Sequence, residues 1–138
     1  MGIEPFLLSS SLLGVLAQRL VRKLCPACAR PAAPSPYADL FEDGVVDRTL
    51  VELPPEMLSS HAVGCDACGH TGYQGRTGVF ELLVTNDAIR SQIHHRAAEA
   101  EIRETAIEHG MALMREDGER LVEAGITSLE ELLRVTSD

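Results

Sequence analysis

Cys25-Pro-Ala-Cys28 and Cys65-Asp-Ala-Cys68 are two matched cysteine pairs, and no other stretch of the chain is as specific about the fold. In each pair a two-residue spacer turns the backbone through a tight knuckle, so that both sulfurs face one point. Residues 29 to 64 separate the pairs, enough chain to loop out and return. Four thiolates converging in a tetrahedron at about 2.3 Å are what a closed structural zinc site requires. No fifth cysteine is left over. Zinc-ribbon pairs are usually separated by roughly 15–20 residues, so the spacer here predicts a small insertion.

Rival readings of the same residues differ in what else they need. Redox C-x-x-C motifs of the thioredoxin type normally follow a strand in a βαβ unit, and no such unit is visible here. Disulfides need an oxidising compartment, and no export signal is evident. Tetrahedral sulfur also suits iron, and Cys65-Asp-Ala-Cys68-Gly69 has something of a rubredoxin knuckle. The chain holds no Trp and only 4% aromatic residues, a poor supply for the aromatic surroundings such a redox site uses. Zinc held by Cys25, Cys28, Cys65 and Cys68 is the favoured reading. With four cysteine ligands the metal has no open position for water or substrate, so it is a staple and not a catalyst.

Composition sets the outer bounds. The 138 residues suffice for one domain or two small ones. A hydrophobic content of 45% supports a globular core. The net charge of −9 argues against nucleic acid as a partner, since phosphate contacts need a basic face. The apolar run from Phe6 to Ala17 is too short to span a bilayer, is broken by Ser9, Ser10 and Ser11, and follows Glu4 where a signal peptide would carry positive charge. The expected location is therefore the cytoplasm.

Periodicity then orders the chain. Leu13, Leu16, Ala17, Leu20, Val21 and Leu24 recur at helical spacing, which predicts an amphipathic N-terminal helix ending at the first knuckle, with Arg19, Arg22 and Lys23 on its solvated face. Pro31, Pro34 and Pro36 predict a loop. A short helix is expected over 37–43, a strand over 49–53 and a helical turn over 54–58. Gly64, Gly69, Gly72, Gly75 and Gly78 fit neither the P-loop nor the dinucleotide fingerprint, and read as knuckle and turn glycines supplying positive φ. Gly78 to Val84 predicts a strand returning from the site. Asn86 caps a helix to about Arg96, Ala98 to His109 forms the next, and Leu113 to Ala124 a third with Gly118 as its weak spot. Ser128 and Glu131 form a capping-box pattern that opens the last helix.

The expected fold class is α+β and mostly helical: the amphipathic N-terminal helix, a small zinc-ribbon-like tetracysteine module with short strands, and a C-terminal bundle of about four helices. His61, His70, His94, His95 and His109 are alternative metal ligands in principle, but four thiolates already complete a coordination sphere. No catalytic constellation emerges from the spacing.

Several longer strings, taken together, resemble the C-terminal part of the secretion ATPases of type II secretion and type IV pilus assembly. They are Gly14-Val-Leu-Ala-Gln-Arg-Leu-Val-Arg22, Leu24-Cys-Pro-Ala-Cys28, and Gly64-Cys-Asp-Ala-Cys-Gly-His-Thr-Gly-Tyr-Gln-Gly-Arg-Thr-Gly-Val-Phe-Glu-Leu-Leu83. Gly110-Met-Ala-Leu113, Asp117-Gly118 and Gly125-Ile-Thr-Ser-Leu-Glu-Glu-Leu-Leu-Arg-Val-Thr136 extend the match nearly end to end. The segment from Gly14 to Arg22 looks more like the type II branch.

The resemblance implies a portion of a longer ATPase that forms hexameric rings at the cytoplasmic face of the bacterial inner membrane. ATP and Mg2+ would be cofactors of the full-length parent only, because the family's Walker A loop, acidic box and histidine box are not found here. No catalytic residue is carried over, and this portion alone is expected to have no activity. Only Cys25, Cys28, Cys65 and Cys68 match functional positions of the family, as ligands of a structural Zn2+. The implied partners are the rest of the ATPase, neighbouring ring subunits, and inner-membrane secretion or pilus assembly proteins. The implied division is 1–24 with the RecA-like ATPase domain, 25–84 as the zinc module and 85–138 as a helical subdomain. A stand-alone zinc-ribbon adaptor for protein is the rival from another class.

Overall fold

The computed structural model describes residues 2–31 and 60–137. The elements expected over 37–43, 49–53 and 54–58 lie outside the described residues. Among those residues the fold is α+β: a two-stranded antiparallel ribbon and five α-helices, four of which follow the ribbon.

Helix α1 covers Pro5–Ser11, with proline in its first turn, where the missing N–H costs nothing. Three consecutive serines end it. The hydroxyls of Ser9 and Ser10 donate to the Phe6 carbonyl at 3.1 and 2.7 Å, and that of Ser11 to the Leu7 carbonyl. Such back-bonding competes with continuation of the helix, and Leu12 is already extended.

Strand β1 then runs over Gly14–Leu24, which corrects the expectation of one long amphipathic helix through these residues. The apolar positions do carry helical spacing, but their burial does not follow it: in β1 only Val21 and Leu24 are buried. What decides the conformation is a partner far away in sequence. Strand β2, Tyr73–Val84, is rich in β-branched and aromatic residues and pairs with β1 along its length. The ladder is bracketed by Thr85 N–H to the Leu13 carbonyl (3.0 Å) at one end and Cys25 N–H to the Gly72 carbonyl (2.9 Å) at the other. Because β1 enters the site at Cys25 and β2 leaves it after Gly72, the two strands run antiparallel where they pair. Non-local pairing thus overrides a local preference for helix. Arg22 accordingly lies on a strand and not on the solvated face of a helix.

The helices after β2 follow their sequence signals. Helix α2, Asp87–His94, is capped by Asn86, whose side-chain oxygen accepts the Ile89 N–H at 2.9 Å. Helix α3, Glu99–Glu108, has the Glu101 carboxylate accepting the Ala98 N–H, and gives way to Gly110 at φ +96°. Helix α4 is Met114–Glu123, and helix α5 is Leu129–Thr136, capped by Ser128.

Two compact units emerge. One comprises Met1–Arg19 with Val79–Asp117, where α1 and α3 both pack on α2 and Ile89 is fully buried. Within it the carboxylates of Glu81 and Asp117 accept the backbone N–H groups of Met114 and Phe80 at 2.8 and 2.9 Å, tying β2 to the start of α4. The other comprises Leu20–Gly78 with Gly118–Asp138 and contains the cysteines. Its buried apolar residues, among the described residues, include Val21, Leu24, Cys25, Leu121, Val122 and Leu132. Gly118 is a packing requirement here: a Cβ on it would stand 2.0 Å from Leu132 Cδ1. No helix among the described residues is long and apolar enough to cross a membrane.

Candidate metal centre

The four cysteines meet at the end of the ribbon. Cys25 follows β1 directly, and the turn Cys25-Pro-Ala-Cys28 is closed by Cys28 N–H and Ala29 N–H bonding to the Cys25 carbonyl. The second pair brackets a single 3-10 turn, Asp66–Cys68, stopped by Gly69 in the left-handed region. Between the pairs, Arg30 and His61 form an antiparallel bridge with N···O distances of 3.1 and 3.0 Å. The spacer therefore leaves and re-enters at adjacent points.

All four sulfurs lie within 4.8 Å of one another. Cys25 to Cys65 is 3.8 Å, Cys28 to Cys68 is 3.9 Å and Cys65 to Cys68 is 3.8 Å. A tetrahedron with metal–sulfur bonds of about 2.3 Å has edges of about 3.8 Å. The cluster thus fits a tetrahedral thiophilic metal, and the sulfurs are too far apart for disulfides, whose bond is about 2.0 Å long. All four cysteines are free thiols.

Backbone amides are aimed at the sulfurs. Gly64 N–H donates to Cys28 Sγ at 3.3 Å, while Cys65 N–H and Gly72 N–H donate to Cys68 Sγ, each at 3.2 Å. Two of these donors are glycines for a steric reason. Gly64 and Gly72 have φ of +110° and +81°, and a Cβ would lie 2.8 Å from the His70 carbonyl oxygen and 2.5 Å from Ala62 Cβ respectively. Positive φ also occurs at Gly69 and Gly75, as expected for knuckle and turn glycines, but not at Gly78. Burial pushes the Cys28 thiol up to about 11. At Cys68 burial acts in the same direction, but the amides of Cys65 and Gly72 outweigh it and bring the thiol down to about 6. Amides that favour thiolate over thiol suit the ligand form a metal needs.

Histidines stay out of the cluster. The four cysteines are the one group of metal-ligating side chains brought together among the described residues. His70 turns to the surface, where its Nε2 lies 3.0 Å from Asp66 Oδ1. The rings of His94 and His95 meet edge to face at 5.2 Å, and His109 bonds to the Thr105 carbonyl.

A second polar cluster escaped the sequence reading. Ser128 does cap α5, its Oγ accepting the Glu131 N–H at 3.2 Å, but the Glu131 side chain does not reach back to complete the capping box. It is fully buried and accepts from the backbone N–H of Arg22 at 2.9 Å, from Arg22 Nε and Nη2 at 3.2 and 2.9 Å, and from Arg134 Nε and Nη2 at 3.0 and 2.7 Å. Burial alone would raise the carboxyl, yet the two guanidinium groups and the Arg22 amide hold it down at about 2. The Arg22 guanidinium lies 4.1 Å above the Tyr73 ring, and the Tyr73 hydroxyl is 2.7 Å from Ser128 Oγ. The Ser128-x-x-Glu131 pattern was the one signal of this cluster, and it describes only the local half.

Comparison with known proteins adds the family. The profile described as Type II/IV secretion system protein matches residues 1–134. The type II secretion system protein HxcR of Pseudomonas aeruginosa is 50% identical over 138 residues, covering 100% of this chain and 24% of the relative. The type II secretion system ATPase E of Vibrio cholerae is 48% identical over 140 residues, covering 100% of this chain and 26% of the relative. The type IV pilus assembly ATPase PilB of Thermus thermophilus is 43% identical over 136 residues, covering 99% of this chain and 15% of the relative. The chain thus spans about a quarter of the length of the type II relatives.

Proposed function

We propose, since the chain belongs to the Type II/IV secretion system protein family, that it is the non-catalytic, zinc-binding portion of a secretion ATPase that powers type II protein secretion. The carrying observation is the set of four sulfurs at tetrahedral edge distances in a chain that aligns over its whole length with type II secretion ATPases. Zinc is preferred among thiophilic metals because an all-cysteine tetrahedron is its usual structural site. Bound there by Cys25, Cys28, Cys65 and Cys68, it supplies cross-linking and no chemistry.

In this reading ATP and Mg2+ bind in the remainder of a longer protein, which assembles as a hexameric ring at the cytoplasmic face of the inner membrane. Residues 1–24 continue the ATPase domain, 25–84 form the metal module and 85–138 the helical subdomain. Exposed apolar side chains in α1, on the ribbon and at Leu13 between them, with Leu13 at 81% and Leu16 at 61% exposure, support a covered surface in the longer protein. Partners are neighbouring ring subunits and inner-membrane assembly proteins. The type II branch is preferred over the pilus branch on the 50% identity to HxcR against 43% to PilB.

The test is exchange. Replacing the corresponding quarter of HxcR by this chain should restore type II secretion in a strain lacking HxcR, and Cys65→Ser in the chimera should abolish it. A stably expressed chimera that hydrolyses ATP but restores no secretion contradicts the assignment. ATP turnover by the isolated chain, lost on substitution within it, contradicts the non-catalytic role, because phosphoryl transfer needs a phosphate cradle and metal-binding acids in one site.

A further inference from the structure

The buried Glu131 carboxylate does more than neutralise two arginines. One of its five hydrogen bonds comes from the Arg22 backbone N–H, at 2.9 Å, so it grips the strand itself as well as a side chain. Two further bonds hold the same stretch from the loop before α5: Thr127 Oγ1 donates to the Arg22 carbonyl at 2.7 Å, and Leu24 N–H donates to the Ile126 carbonyl at 2.8 Å. Thr127, Ser128, Glu131 and Leu132 are all buried at this contact. The backbone at Arg22 and Leu24, just before Cys25, is therefore held by α5 and its leading loop.

The second pair is reached from the same place. Arg22 covers the Tyr73 ring, and the Tyr73 hydroxyl meets Ser128 Oγ at 2.7 Å. Tyr73 follows Gly72, whose N–H donates to Cys68 Sγ and whose carbonyl accepts the Cys25 N–H. One residue thus joins both pairs, and its neighbour is held by α5.

We propose that the Glu131 clamp couples metal loading of the cysteine cluster to docking of α5, with Glu131 a positioning residue for the metal site. The proposal rests on the reading that the four cysteines hold zinc. Groups that hydrogen-bond metal ligands directly typically contribute 10–100-fold in affinity; Glu131 acts one step further out, through Arg22 and the Tyr73 it covers, so the lower end of that range is its ceiling. Coupling is reciprocal: whatever factor the clamp adds to zinc affinity, zinc adds to the docking equilibrium of α5. A merely structural Glu131 would lower overall stability and leave the zinc affinity of the folded chain alone.

Zinc affinity of the chain is measured by competition with a chromophoric chelator, in the wild type, Glu131→Gln and Tyr73→Phe. Glu131→Gln should weaken zinc binding measurably, by up to about tenfold, and Tyr73→Phe, which removes only the hydroxyl contact, should weaken it less. Hydrogen exchange at residues 129–136 of the wild type, with zinc and after chelation, gives the reciprocal reading without any substitution. Exchange should accelerate on chelation by a factor comparable to the affinity loss in Glu131→Gln. Unchanged affinity in both variants, or exchange in α5 indifferent to zinc, overturns the proposal. If Glu131→Gln does not fold, the Tyr73→Phe affinity and the wild-type exchange decide. A folded chain that takes up no Zn2+ at all defeats the metal assignment itself, a different outcome from zinc binding that ignores α5.

Discussion

Gly118→Ala sets two known effects against each other at one position. In an exposed helix the change would stabilise by about 0.8–1.0 kcal/mol, the propensity gap between glycine and alanine. In α4 the new methyl would stand 2.0 Å from Leu132 Cδ1 and 3.1 Å from both Cδ2 and Cγ. Carbon contacts are optimal at about 3.5–4.0 Å, so Leu132 must move by more than an ångström. Leu132 is fully buried, so the shift must be taken up inside the core. Overpacking of this kind costs typically 1–3 kcal/mol. The balance is a net loss of about 1 kcal/mol, read as a lower urea midpoint at constant slope in zinc-saturated buffer. The sign should reverse when the obstacle is removed. In a Leu132→Ala background, itself destabilised by about 2–5 kcal/mol, Gly118→Ala should stabilise by roughly its helix propensity. A higher midpoint for Gly118→Ala with Leu132 in place would refute the packing argument.

Other outcomes follow from the same geometry. Because the folded state holds the Glu131 carboxyl at about 2 against an ordinary 4.5, its contribution is complete above the ordinary value and is lost as pH falls from there through about 2. That linkage amounts to about 3 kcal/mol, and acid titrations at matched zinc should show a shallower loss in Glu131→Gln than in the wild type; parallel limbs would speak against it. Exposed apolar residues on the ribbon, Leu16 and Leu82 among them, predict that the chain alone self-associates with rising concentration. Threonine at both positions, which keeps strand propensity, should shift sedimentation toward monomer, whereas a wild type that stays monomeric throughout removes the case for a covered surface. Gly72→Ala should weaken zinc binding, since its Cβ would meet Ala62 at 2.5 Å in a positive-φ conformation; equal affinity would mean that the knuckle tolerates displacement of that amide.

Local chemistry was legible in the sequence and long-range pairing was not. Cys25, Cys28, Cys65 and Cys68 announce themselves because two-residue spacers constrain sulfurs within one turn, and their convergence follows from valence. Helices α2 and α5 were readable for the same reason: Asn86 and Ser128 cap through side chains a few residues from the amides they bind. The stretch from Gly14 to Leu24 misleads because leucines, arginines and a lysine at helical spacing satisfy a local criterion, while its actual partner is β2. Glu131 misleads similarly. Three residues after Ser128 it looks like half of a capping box, and nothing nearby in sequence points to Arg22. Gly118 looked like a weakness because a glycine in a helix lacks propensity; the reason for it is Leu132 on another helix.

The central claim is a structural zinc site made of these four cysteines, and X-ray absorption on the purified chain, with elemental analysis of the same sample, tests it most directly. One zinc per chain with four sulfur neighbours at about 2.3 Å is the predicted result. Iron in the site, nitrogen or oxygen in the first coordination shell, or a folded chain free of metal would contradict it.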